Sequence, residues 1–150
     1  MGKKRLIKET QPKETKEEKQ IDAFVEKELK SKKIKKVEEA NLYIFATYNN
    51  TILNLTTLEG NTIYQSSAGK VGFEGTKKGT HYAGSRVAEV VAQAIKSLGI
   101  SKVNVFVKGV GPGRDAALRM LASKDVNIVS IADITPIPHD GCRPPKVRKV

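Results

Sequence analysis

The sequence predicts an α/β domain: a mixed five-stranded sheet in the chain order βββαβαβ, three layers deep, with an extended basic C-terminal tail. Three observations carry that expectation. Three strand-like runs, Leu42–Thr47, Thr51–Leu58 and Thr62–Ser67, are joined by connections so short that neighbouring strands must run antiparallel. Two stretches of helical periodicity follow, and each leads into a further β-branched run. The last twelve residues carry prolines and four basic side chains in a segment too short to fold alone.

Residues 1–40 are expected to form a charged extension, disordered or partly helical. The first twenty are rich in Lys, Glu, Thr and Gln and lack the apolar content a core requires. Ile21, Phe24, Val25 and Leu29 then recur at helical spacing, which reads either as a frayed helix or as a face that docks on a partner. Lys30 to Lys36 is a basic linker.

The domain is expected over residues 41–138. Asn49-Asn50 and Glu59-Gly60-Asn61 are turn signals between the first three strands, because Asn and Gly tolerate positive φ. A loop from Ala68 to Gly79 follows, with four glycines and three lysines around Phe73; it reads as too polar and flexible to be core. Thr80 is placed to cap a helix whose apolar stripe is Ala83, Val87, Val90, Val91, Ala94, Ile95 and Leu98, and Gly99 ends it. Glu89 falls on the face expected to be exposed. The fourth strand, Lys102–Val107, should run parallel to the third through a right-handed crossover. Lys108-Gly109-Val110-Gly111-Pro112-Gly113 breaks the chain, Arg114 opens a short helix with Ala117, Leu118 and Leu121 on one side, and Val126–Ala132 is the fifth strand. Prolines hold Asp133–Pro138 extended, and residues 139–150 complete the chain as the tail.

Charge narrows the partner. The 150 residues hold 27 Lys and Arg against 16 Asp and Glu, a formal net charge of +11, with 39% hydrophobic residues. That combination describes a globular part facing a polyanion, nucleic acid ahead of an acidic membrane surface. No apolar run approaches the roughly 20 residues of a membrane span, no apolar signal core opens the chain, and no membrane partner is expected. Cys142 is the single cysteine; it forms no intramolecular disulfide and fits a reducing, cytoplasmic setting.

Several chemistries are poorly supported. Gly109-Val110-Gly111-Pro112-Gly113 has GxG spacing but neither GxGxxG nor a P-loop lysine, and Pro112 removes an N–H that a phosphate cradle would use. The strand order suggests a ribonuclease-H-like topology, yet two-metal hydrolysis needs converging carboxylates. Glu59, Glu74, Glu89, Asp115, Asp125 and Asp133 are the only ones between residues 41 and 138, and none falls in the first three strands. His139 and Cys142 are three apart, but only His81 adds a further nitrogen or sulfur ligand where closed zinc needs four. No cofactor, metal or catalytic residue is expected. A general single-strand binder would need exposed stacking aromatics, for which only Phe73 and Tyr82 are candidates.

Polyanion binding is what the remaining residues support. Lys70–Gly79, Lys108–Arg119 and Arg143–Lys149 each combine positive charge with glycine or proline and little bulk. The loops after the parallel third and fourth strands should leave the same edge of the sheet. Backbone and shape recognition of structured RNA suits this inventory.

Tyr48-Asn49-Asn50-Thr51, Lys108-Gly109-Val110-Gly111-Pro112-Gly113-Arg114, and above all the run from Asp133 to Lys146 (DITPIPHDGCRPPK) resemble the universal small-subunit ribosomal protein S-eleven family. The resemblance covers about Asn41 to Val150. It implies a ribonuclease-H-like fold and a structural, non-enzymatic role on small-subunit ribosomal RNA, in the platform near the mRNA exit and the E site. It also implies proteins S-seven and S-eighteen as neighbours, and mRNA near its exit as a further contact. Carried onto this chain, the expected RNA contacts are Asn49, Asn50, Thr51, Lys70, Phe73, Lys77, Lys78, Lys108, Gly111, Gly113, Arg114, Arg119, His139, Arg143, Lys146, Arg148 and Lys149. Two departures stand out. Members usually have Arg where Glu74 sits, so the loop makes one phosphate contact fewer or Glu74 pairs with Lys77. They also usually have Asn where Asp140 sits; Asp140-Gly141 retains the capacity to cyclise toward isoaspartate, more slowly.

Overall fold

The computed structural model describes Val25, residues 37–143 and residues 145–146. Five strands form one sheet: β1 (Glu39–Ala46), β2 (Thr51–Thr56), β3 (Thr62–Ser67), β4 (Lys102–Lys108) and β5 (Ile128–Asp133). Two helices, α1 (His81–Leu98) and α2 (Gly113–Ser123), and a short 3₁₀ turn at Gly75–Gly79 complete the order βββαβαβ. β1 begins at Glu39, two residues ahead of the expected domain start.

The sheet order is β3-β2-β1-β4-β5. β2 is antiparallel to β1 and β3, while β4 runs parallel to β1 and β5 parallel to β4. The mixed sheet and the ribonuclease-H-like strand order are therefore as the sequence implies. β4 runs in the direction of β3 but lies against β1, two strands away. Both crossovers step the same way across the sheet, so right-handed connections put both helices on one face. Of the three expected layers, the described residues supply two, the sheet and the helix pair.

Strand alternation confirms which face is covered. Ala40, Leu42, Ile44 and Ala46 of β1 and Val103, Val105 and Val107 of β4 are buried, and their neighbours are not. All of these but Ala46 meet Ala83, Val87, Val91 and Ile95 of α1 and Ala117 and Leu121 of α2 in one core. The opposite face is partly open and carries a stacked Tyr43–Phe106 pair, ring centroids 5.1 Å apart.

Caps follow local chemistry. The Thr80 hydroxyl accepts from the Ala83 N–H at 3.2 Å, and Gly99 at φ +69° closes α1 with its N–H on the Ile95 and Lys96 carbonyls. α1 is buried around most of its circumference, Val87 to Ala92 without a break. Glu89 is correspondingly buried, at 6% exposure, rather than on an exposed face. It is tolerated because Arg86 at 2.7 Å and Lys124 at 2.9 Å neutralise it from two elements. Val25 is helical, 1% exposed, and part of the same core, so at this residue the 21–29 stretch packs on its own domain. The other residues of that stretch, and the Lys30–Lys36 linker, lie outside the described residues.

Candidate nucleic-acid interface

All four parallel strands deliver their chain to one edge of the sheet. The β1–β2 turn leaves the end of β1, the glycine loop leaves β3, the Lys108–Pro112 loop leaves β4, and residues 134 onward leave β5. The β1–β2 turn, the glycine loop, the Lys108–Pro112 loop and the root of the tail therefore meet at the carboxyl edge, whereas Arg119 lies within α2. The shared β3 and β4 edge follows from the sequence; the convergence of the β1–β2 turn and the tail root does not. Edge cations include Lys70, Lys77, Lys78, Lys108 and Arg114, beside the carboxylates of Glu74 and Asp133. The opposite edge carries Glu38, Glu39, Glu59 and Asp125, with Lys102 paired to Glu39 at 2.7 Å, Lys124 to Glu89 at 2.9 Å, and Lys96 exposed in the last turn of α1.

The connectors are locked to one another by backbone contact. Gly109 sits at φ +94°, and a Cβ there would lie 2.3 Å from the Ala46 carbonyl oxygen. A Cβ on Gly79 would lie 2.2 Å from the Tyr48 carbonyl oxygen. The glycines thus allow the β4 loop and the β3 loop to rest directly on the β1–β2 turn. The turn is itself closed: the Thr47 N–H and hydroxyl both donate to the Asn50 carbonyl, at 2.9 and 3.1 Å. The Asn50 side-chain oxygen accepts from the Thr51 N–H, while Asn49 is exposed.

A second network roots the tail. The Asp133 carboxylate accepts from the Thr135 hydroxyl at 2.6 Å and N–H at 2.9 Å, and from Arg114 Nη2 at 2.8 Å. The Thr135 hydroxyl oxygen also accepts from the Gly109 N–H at 3.0 Å. The hydrogen bonds from Thr135, hydroxyl first and then N–H, and after them the Arg114 guanidinium, hold the Asp133 carboxyl down at about 2. Nothing in the sequence marks Asp133 for this job; its proximity to Arg114 across 19 residues arises only in three dimensions.

The individual candidates sort by exposure and engagement. Asn49, Lys77, Lys108, Arg119, His139, Arg143 and Lys146 are exposed. Lys108 Nζ lies 5.8 Å over the Phe45 ring. Lys70 is exposed but turned inward, with Nζ 3.0 Å from the Gln65 carbonyl and 5.2 Å over the Tyr64 ring. Lys78 and Gly111 are partly buried. Glu74 and Lys77 form no ion pair with each other. Thr51 and Gly113 are buried against each other, since a Cβ on Gly113 would meet Thr51 Oγ1 at 2.0 Å; their side chains serve packing. The glycine loop is less loose than expected, because Val71 and Phe73 pack on the core and Phe73 meets Tyr82 edge to face at 5.8 Å. Tyr48, 76% exposed at the tip of the edge turn, is an aromatic missing from the sequence-based candidates. Arg148 and Lys149 lie outside the described residues. No group of three or more His, Cys, Asp or Glu side chains among the described residues is arranged to hold a metal.

The profile described as ribosomal protein S11 matches residues 40–149. The chain is 50% identical over 121 residues to the small ribosomal subunit protein uS11 of Treponema pallidum (strain Nichols), covering 81% of this chain and 96% of that protein. It is 50% identical over 111 residues to the protein of the same name from Endomicrobium trichonymphae, covering 74% and 85%. With its sheet order, its bundled glycine connectors and this match, the chain belongs to the ribosomal protein S11 family.

Proposed function

We propose that this protein is held on small-subunit ribosomal RNA by the carboxyl edge of its sheet. The family is structural and non-enzymatic, so the chain is a constituent of the small ribosomal subunit in the cytoplasm, with ribosomal RNA and other ribosomal proteins as partners. The observation that carries the edge reading is the convergence just described: four connectors, fastened to one another at their roots, bring five cations to one edge. Exposed cations on a fixed scaffold release counterions from phosphates without ordering a loop first. Asn49, Asn50, Lys70, Lys77, Lys78, Lys108, Gly111, Arg114, Arg119, His139, Arg143, Lys146, Arg148 and Lys149 are the proposed contact set, with Phe73 supporting the loop. The site of attachment is the platform near the mRNA exit and E site, with S-seven, S-eighteen and exiting mRNA nearby.

The test is salt-dependent binding of full-length protein to platform ribosomal RNA. Replacing Lys77 and Lys78 together with Ala should weaken binding and lower the slope of log K against log salt by about 2, roughly one per lost phosphate contact. An unchanged affinity and slope would move the interface elsewhere.

A further inference from the structure

Outside the edge connectors, a cleft of about 610 Å³ opens between the first turn of α1 and the outer face of α2. It exists because Gly84 and Gly113 let the helices touch at their N-terminal ends; a Cβ on Gly84 would sit 2.7 Å from the Gly113 Cα. His81, Tyr82 and Ser85 wall one side, and Asp115, Ala116 and Arg119 the other. Tyr82 is 62% exposed while Phe73 packs against it in a T-shaped pair, with the two ring planes at 83°. An exposed aromatic held in place by another aromatic is a stacking platform with little rotamer freedom left to lose. Neither Arg119 nor Asp115 is ion-paired to any described residue.

We infer that this cleft takes a single unpaired nucleotide of the ribosomal RNA, its base stacked on Tyr82, its phosphate on Arg119, and its Watson–Crick edge toward Asp115. The inference rests on the RNA-binding reading above and gives it a specificity element. The chemistry of the lining decides the occupant. A carboxylate repels phosphate and accepts hydrogen bonds only, so the group beside Asp115 must be a donor edge. Guanine offers two adjacent donors, N1–H and the exocyclic amine, whereas uracil offers one N–H flanked by carbonyls. Small side chains, Ser85 and Ala116, leave room for a purine between the helices.

The experiment uses full-length protein and two probes: fluorescein-labelled heptamers, UUUGUUU and UUUUUUU, and platform ribosomal RNA. Wild-type protein should bind the guanine heptamer several-fold more tightly than oligo-U. Tyr82→Ala should reduce guanine-heptamer affinity about tenfold, the scale of one lost stacked base, while Tyr82→Phe retains it. Asp115→Asn should abolish the guanine preference and leave oligo-U affinity unchanged. Equal affinity for both heptamers, or an unaffected Tyr82→Ala variant, overturns the inference. In that case a platform-RNA affinity still weakened by the Lys77 and Lys78 double replacement shows that the edge reading survives, and loss of both effects sinks the two together.

Discussion

Two glycines with nearly the same backbone provide a controlled test of how the edge is assembled. Gly60 sits at φ +92° with no atom within 4 Å of a would-be Cβ, and Gly109 at φ +94° with the Ala46 carbonyl oxygen at 2.3 Å. In Gly60→Ala the left-handed backbone costs ~1–2 kcal/mol, offset by ~0.4–1 kcal/mol from restricting the unfolded chain. The net loss should fall between about 0 and 1.6 kcal/mol. Gly109→Ala carries the same backbone terms and must also push two connectors apart, which adds ~1–3 kcal/mol on the scale of overpacked sites. The contrast should appear in urea unfolding as a lower midpoint for Gly109→Ala with little change in slope. In the absence of urea, where it is folded, Gly109→Ala should also bind platform RNA more weakly, whereas Gly60→Ala, on the far edge, should bind as wild type. Equal destabilisation by the two substitutions would refute the claim that the β4 loop rests on the β1–β2 turn.

Other consequences are as direct. Asp133 has its pKa lowered to about 2 by Thr135 and Arg114, so its contribution to stability is present above the ordinary carboxylate value near 4 and is lost as pH falls through about 2. Acid titration of Asp133→Asn should show that part of the low-pH destabilisation missing. Arg114→Ala should weaken platform-RNA binding and make the salt slope shallower, and it should also loosen the tail root, seen as faster amide exchange at Thr135. Glu89→Gln should destabilise by about 3–5 kcal/mol in urea melts, because the buried carboxylate answers cations from both Arg86 and Lys124; intrinsic RNA affinity should hold. Deleting residues 143–150 should reduce incorporation into subunits with the thermal unfolding of the domain unchanged.

The strands and helices were legible because each obeys a local rule. Runs of β-favouring residues marked β1 and β4, a 3.6-residue stripe marked α1, and Thr80 and Gly99 punctuated it. Their ends were less so: β2 stops at Thr56 where the strand-like run was expected to reach Leu58, and β5 begins at Ile128 because Asp125 at φ +56° and Val126 still finish the α2 turn. What local rules miss is pairing at a distance. Glu89 looked solvated because Lys124 is far away in sequence. Thr51 and Gly113 looked like ligand contacts because they lie in motifs, yet they pack on each other. The shared edge was half visible, since two parallel strands imply it, but the Asp133–Thr135–Gly109–Arg114 network and the Tyr82 cleft depend on tertiary register.

Ultraviolet cross-linking of assembled small subunits, followed by mass spectrometry of this protein, tests the central claim most directly. Cross-linked peptides should cover 47–50, 69–79, 108–114 and 135–146, the connectors at the carboxyl edge. Cross-links concentrated instead at 57–61, 99–102 and 124–127, the turns of the opposite edge, would contradict it.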